Sequence, residues 1–115
     1  MQGGTQYQVP GQGMVTRDQG GNIPDEFTQR YSNEPMTISM ANAGRPNSGG
    51  SQIFINTVHN AYLDWFDTRT PSRHPVFGKV ISGQDIVSRI GNCPTAQGDR
   101  PNPAIRVNRI IVVRE

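Results

Sequence analysis

Met36-Thr37-Ile38-Ser39-Met40-Ala41-Asn42-Ala43-Gly44 is followed, after Arg45-Pro46-Asn47-Ser48-Gly49, by Gly50-Ser51-Gln52-Ile53-Phe54-Ile55-Asn56-Thr57-Val58. Met36 to Met40 alternates apolar and polar residues with period two, and Ile53 to Val58 does so in part, so both read as β-strands with one side turned to a core. Asn42 to Gly50 is a dense turn cluster, too long for a two-residue hairpin. Downstream, Tyr62 to Pro75 mixes aromatic, polar and proline residues and reads as an ordered surface loop leading into a strand at Val76 to Ile81. Asp85 to Ile90 is the one helix candidate: Ile86, Val87 and Ile90 share a face, and Gly91 can supply the C-terminal cap. Ile105 to Val113 alternates as a closing strand. Gln2 to Asn22 carries six glycines and little hydrophobic periodicity and reads as loop.

The 115 residues suffice for one domain with a small core. Only 33% of them are hydrophobic, and 13 glycines and 9 prolines favour short strands and turns over long helices. The formal charge is +2, from ten scattered arginines and Lys79 against nine acids, without a basic run, so nucleic acid is not the expected partner. No apolar run approaches the roughly 18 residues of a membrane span, and Met1 to Pro10 is polar rather than signal-like. A lone Cys93 cannot form an internal disulfide and fits a reducing, cytoplasmic setting. His59, His74 and Cys93 lack metal-ligand spacing, and there is no Gly-x-Ser-x-Gly elbow and no phosphate-cradling glycine loop. Neither a metal nor a cofactor is expected.

Ser39 to Gly44, Gly50 to Ile55, Leu63-Asp64 and Val76-Phe77-Gly78-Lys79-Val80 stand in an order that resembles the cyclophilin-type peptidyl-prolyl cis/trans isomerases. In that family Ser-Met-Ala-Asn-Ala-Gly, Gly-Ser-Gln-Phe-Phe-Ile, Trp-Leu-Asp and Val-Phe-Gly-Lys-Val follow one another in the same way. Gln2-Gly3-Gly4 and Asp25-Glu26-Phe27 add further matches, so the resemblance runs the length of the chain. It implies a mainly β fold, an antiparallel barrel capped by helices, and isomerisation of X-Pro peptide bonds in proteins, which assists folding. It also implies proline-containing peptides as partners and cyclosporin-like ligands. Carried over by residue, the catalytic set is Gln2, Gln52, Phe54, Leu63 and His74. Phe54 and Leu63 would line the proline cavity, with His74 at its edge. Ala41, Asn42 and Gln52 would bind the substrate backbone, Asn42 largely through its own main chain, with Gln2 in the hydrogen-bond network beside them; Ala43 belongs to the same substrate-binding set, with Tyr62 at the rim.

The departures from the family pattern lie in three places. Ile53 replaces the first Phe of Phe-Phe, and Arg45-Pro46 lengthens the turn. Trp65 to Arg73 lengthens the loop before His74. Such loop insertions cost little closure entropy. Trp65, Phe66 and Cys93 read as packing residues. In the family the Gln-Gly-Gly segment is preceded by strands, a helix and a Phe-His-Arg motif, whereas only Met1 precedes Gln2 here. The resemblance therefore implies a partial domain over 1–115, with the N-terminal strands and first helix missing. None of the ten arginines matches the motif, so the alternative is a proline-peptide binding module that is catalytically weak or inactive.

Overall fold

A computed structural model describes residues 22–71, 73–94 and 105–114, together with the backbone of short strands at 2–3, 6–9, 13–16, 95–96 and 100–101. In chain order the elements are β1 (Gln2–Gly3), β2 (Gln6–Val9), β3 (Gly13–Thr16), β4 (Thr37–Met40), β5 (Ile53–Ile55), a 3-10 turn (Ala61–Leu63), β6 (Val76–Lys79), α1 (Gln84–Gly91), β7 (Thr95–Ala96) and β8 (Arg100–Pro101). The central sheet is antiparallel in the order β1-β5-β4-β6, and β2/β3 and β7/β8 form two ribbons. Among the described residues no helix is long and apolar enough to cross a membrane.

Met36 fixes where the central strands stop. Its φ of 69° turns the chain out of extended backbone immediately before β4. Its carbonyl takes the last sheet-like bond from Val80 N (2.8 Å), and its amide donates to Asn56 O (2.7 Å). Among the described residues no strand pairing continues past these bonds, and β5 and β6 end at Ile55 and Lys79 rather than at the expected Val58 and Ile81.

Two expectations are corrected. The stretch Gln2 to Asn22, read as loop, contains β1, β2 and β3, with Gln6 opposite Thr16 and Val9 opposite Gly13. Gln6-Tyr7-Gln8-Val9 does alternate with period two, a signal overshadowed by the glycines around it. Conversely, Ile105 to Val113 is not a strand: 105–114 is irregular, with Ile111 69% and Val112 81% exposed. Alternation becomes a strand only when a neighbouring edge supplies hydrogen bonds, and no described strand pairs with it.

The helix forms where expected but ends differently. Gly91 is its last residue rather than its cap, and Asn92 closes the end, its amide donating to Ser88 O (3.2 Å) and its Nδ2 to the same carbonyl (2.9 Å). Of the apolar trio Ile86, Val87 and Ile90, only Val87 is buried.

The core is the reverse of the usual binary pattern. Among the described residues the buried apolar side chains are Ala41 and Val87, while Asn33, Thr37, Ser39, Ser48, Asn56 and Asp64 are all buried. Along β4 it is Thr37 and Ser39 that point inward, and Ile38 and Met40 are half-buried.

Candidate functional site

Alternation along β5 puts Gln52, Phe54 and Asn56 on one face of the sheet, and antiparallel register sets Phe54 opposite Ser39 on the same face. Ile53 and Ile55 belong to the other side. The segment 57–75 folds over the Phe54 face and brings in the remaining candidates. Leu63 ends the 3-10 turn, and its carbonyl accepts the His74 amide at 3.0 Å. The His74 ring then meets the Phe54 ring edge-on, with centroids 5.4 Å apart and planes at 81°. His74 Nδ1 lies 3.0 Å from Met40 O, and since a carbonyl only accepts, Nδ1 is the donor. The ring is thereby fixed to the end of β4, with Nε2 left to accept.

Ala41, Asn42, Ala43 and Gln52 line one cleft of about 190 Å³, closed by Ser48 and Gly50. Gln52 reaches it because its carbonyl accepts from Ala41 N (3.1 Å) where β4 and β5 run out. Both ends of the Asn42 carboxamide are used within the chain, Nδ2 donating to Arg73 O (2.8 Å) and Oδ1 accepting from Gly44 N (2.9 Å). What Asn42 can offer a ligand is its main chain. The Ala43 amide is held by Ser48 Oγ (2.9 Å), which shapes the turn that walls the cleft.

Tyr62 sits in the 3-10 turn, half exposed, and its carbonyl is bonded by Thr70 Oγ1 at 2.6 Å. Gln2 occupies the register position opposite Phe54, at the β1 side of β5. Its side chain lies outside the described residues.

The lengthened loop is knotted by its own contacts. Arg69 forks onto Asp67 through Nε (3.0 Å) and Nη2 (2.6 Å), while the Arg69 amide donates to Asp67 Oδ1 (2.9 Å). These bonds, led by those of the side chain, lower the Asp67 pKa to about 2. Trp65 stacks on Phe27 at 5.2 Å, meets Phe66 edge-on, and donates Nε1–H to Gln29 O (2.9 Å), while Arg30 lies over both rings. This cluster ties the loop to the 22–31 segment.

Sequence reasoning did not find the buried polar cluster on the Phe54 side of the sheet. Asp64 is 4% exposed, and among the described residues no Lys or Arg pairs with it. Its Oδ1 accepts from Asn33 N (2.7 Å) and Nδ2 (2.8 Å), and its Oδ2 from Ser32 Oγ (2.6 Å). Ser32 Oγ in turn accepts from His59 Nε2 at 2.8 Å. The bonds satisfy a carboxylate that would otherwise be costly to bury. Asp64 falls within a quoted motif, but Asn33 and Asn56 carry no local pattern that marks them for burial.

A larger cleft of about 350 Å³ is lined by Ile23, Tyr31, Met40, Val76 and Phe77, among others, and touches the smaller one through Ala41 and Asn42. The smaller cleft gathers four of the sequence-derived residues and the larger only Ala41 and Asn42, while neither is lined by Phe54, Leu63 or His74.

A small antiparallel sheet bearing a Phe–His edge contact agrees with the family comparison, in which residues 1–112 match the cyclophilin type peptidyl-prolyl cis-trans isomerase family. The chain belongs to the cyclophilin family. Among similar proteins, peptidyl-prolyl cis-trans isomerase CYP71 of Arabidopsis thaliana is 39% identical over 94 residues, covering 81% of this chain and 14% of that protein. Peptidyl-prolyl cis-trans isomerase D of Cryptococcus neoformans is 45% identical over 75 residues (65% of this chain, 18% of that protein). Peptidyl-prolyl cis-trans isomerase cyp15 of Rhizopus delemar is 36% identical over 92 residues (79% and 13%). The match thus spans less than a fifth of the length of each of these relatives.

Proposed function

We propose that this chain carries the proline-peptide site of a peptidyl-prolyl cis/trans isomerase that assists protein folding. What supports this reading is the edge contact of Phe54 with His74, whose amide is bonded to the Leu63 carbonyl, together with a cleft that gathers Ala41, Asn42, Ala43 and Gln52, in a member of the cyclophilin family.

Rotation about an X-Pro bond breaks amide resonance against a barrier of about 18–20 kcal/mol, so a catalyst must bind the twisted amide better than either planar form. No covalent step is required. Phe54 and Leu63 hold the proline ring, His74 bounds the ring's pocket, and the main chain at Asn42 with Gln52 holds the peptide backbone on the other side of the bond. One end is anchored while the other turns. Gln2, opposite Phe54 in register, belongs to the hydrogen-bonding edge, and Tyr62 to the rim.

The half-buried residues Ile38, Met40, Ile53 and Ile55 form a second, apolar face, which suits a sheet that closes into the family's barrel and is covered there by strands and a helix not among the described elements. The partners are proline-containing segments of proteins, with cyclosporin-like ligands competing for the same pocket, in the cytoplasm.

A second reading is favoured by one feature: none of the ten arginines stands in a Phe-His-Arg motif. A guanidinium at the prolyl nitrogen stabilises the twisted state specifically, so without one the site binds better than it turns over. The test is to measure affinity and isomerisation rate for one short X-Pro peptide, by titration and by exchange NMR, with this chain and with a version carrying the family's Phe-His-Arg segment upstream. Binding in both, with turnover about a hundredfold faster in the second, is the expected result. Binding with equal turnover refutes the arginine argument, and no binding in either refutes the site.

A further inference from the structure

Asn33 has no exposed surface, yet each of its polar groups is engaged. Its amide and Nδ2 donate to Asp64 Oδ1 (2.7 and 2.8 Å), and Nδ2 also reaches His74 O at 3.3 Å. Its Oδ1 accepts from Ser39 Oγ (2.5 Å) and Asn56 Nδ2 (3.0 Å), and its carbonyl accepts from Asn60 N (2.8 Å). These partners lie on β4, at the end of β5, on either side of the 3-10 turn, and beside the final segment before β6. One side chain therefore joins the strands that carry Phe54 to the segment that carries Leu63 and His74.

We propose that Asn33 is a positioning residue of the proline site, acting by holding on the sheet the segment that carries Leu63 and His74, with the His74 ring against Phe54; this rests on the site reading above. Among the described residues, the sheet and the stretches 57–71 and 73–75 are otherwise joined by the His74–Met40 bond, the bond from Met40 N to Pro75 O, the Asn42–Arg73 bond and the Asn60–Asn56 bond. A carboxamide is the group that fits, because the position needs donors toward Asp64 and His74 and an acceptor toward Ser39 and Asn56 at once. Asn33→Asp keeps the shape but turns a carboxylate oxygen toward Asp64 Oδ1, setting two buried like charges together. Asp64→Asn keeps Oδ1 as acceptor for Asn33, and its new Nδ2 faces Ser32 Oγ, which accepts; the link survives without the charge.

The experiment compares the wild-type chain, N33D and D64N, each below its own unfolding temperature. It reads the affinity for a short X-Pro peptide and the NOE between the Phe54 and His74 ring protons. N33D is expected to weaken peptide binding by about tenfold or more and to diminish the ring NOE, with D64N close to wild type on both. Folded N33D with unchanged affinity and an unchanged NOE overturns the proposal. A wild-type chain that binds no proline peptide overturns the site reading instead, and the ring NOE alone then decides for or against Asn33. If N33D does not fold, amide exchange of the wild type decides. Peptide must slow exchange at Asn33 and Asn60, in the hydrogen-bonded cluster on the Phe54 side of the sheet, and no change there overturns the proposal.

Discussion

Ser39 lies opposite Phe54 with no exposed surface, while its neighbours Ile38 and Met40 remain half-buried. The period-two alternation of 36–40 was enough to read a strand, but not which side is inward. That depends on Asn33, Asn56 and Asp64, residues six to twenty-five positions away whose hydrogen bonds let the polar side be covered. Ser39→Ala leaves Asn33 Oδ1 with one donor fewer and should destabilise the fold by about 1–3 kcal/mol in urea melts; a neutral result would show that the cluster is not closed. Phe54→Ala should weaken binding of an X-Pro peptide by about tenfold or more, read by titration, since an aromatic wall is worth about 1.5–3 kcal/mol when covered. Asp67 gives the opposite kind of forecast. Its pKa is lowered, so its pairing with Arg69 favours the fold above the usual carboxylate range and is lost as pH falls toward about 2. Because the Arg69 side chain is 76% exposed, solvent screens the pair although the Asp67 side chain is only 11% exposed, so Asp67→Asn should leave the unfolding midpoint near neutral pH unchanged, and a clear drop would reveal a role beyond the surface.

Elements were legible where turn chemistry and alternation agreed. β4, the turn after it, β5, β6 and α1 all lie where the residues indicate, whereas β2 and β3 were hidden among glycines and Ile105 to Val113 found no edge. Of the candidate residues, Phe54 meets His74, which is bonded to the Leu63 carbonyl, and Ala41, Asn42, Ala43 and Gln52 share one cleft. The contacts that hold the first group on the sheet were not legible, since they cross between distant segments. The helix start supplies a test at this scale. Gly83 precedes α1 with φ 81°, and a Cβ there meets only the tip of Ile86 at 4.0 Å, so the cost of substitution is conformational. Gly83→Ala should destabilise by about 1 kcal/mol, the left-handed penalty of an L-residue, measured by chemical denaturation. Amides of 105–113 should exchange at near-unprotected rates while those of Ser39 and Phe54 are slow; protection in 105–113 would indicate that the segment has found a strand partner.

At the scale of the molecule, the described residues bury two apolar side chains and leave Ile23, Tyr31, Phe77, Ile81 and most of 105–113 about half exposed or more. Apolar surface of this extent favours association, and a core built largely of hydrogen bonds loses its integrity in parts rather than at once. The isolated chain should therefore sediment as an oligomer or unfold over a broad temperature range. A sharp, calorimetrically two-state transition in a proven monomer would contradict that expectation. The central claim, that the Phe54 face receives proline, is tested most directly by intermolecular NOEs from the ring protons of a short X-Pro peptide to the labelled chain. The account predicts contacts to Phe54, Leu63 and His74, with shifts at Ala41, Asn42 and Gln52. Proline contacts to Ile23, Val76 and Phe77 around the larger cleft, with the Phe54 face silent, would contradict it.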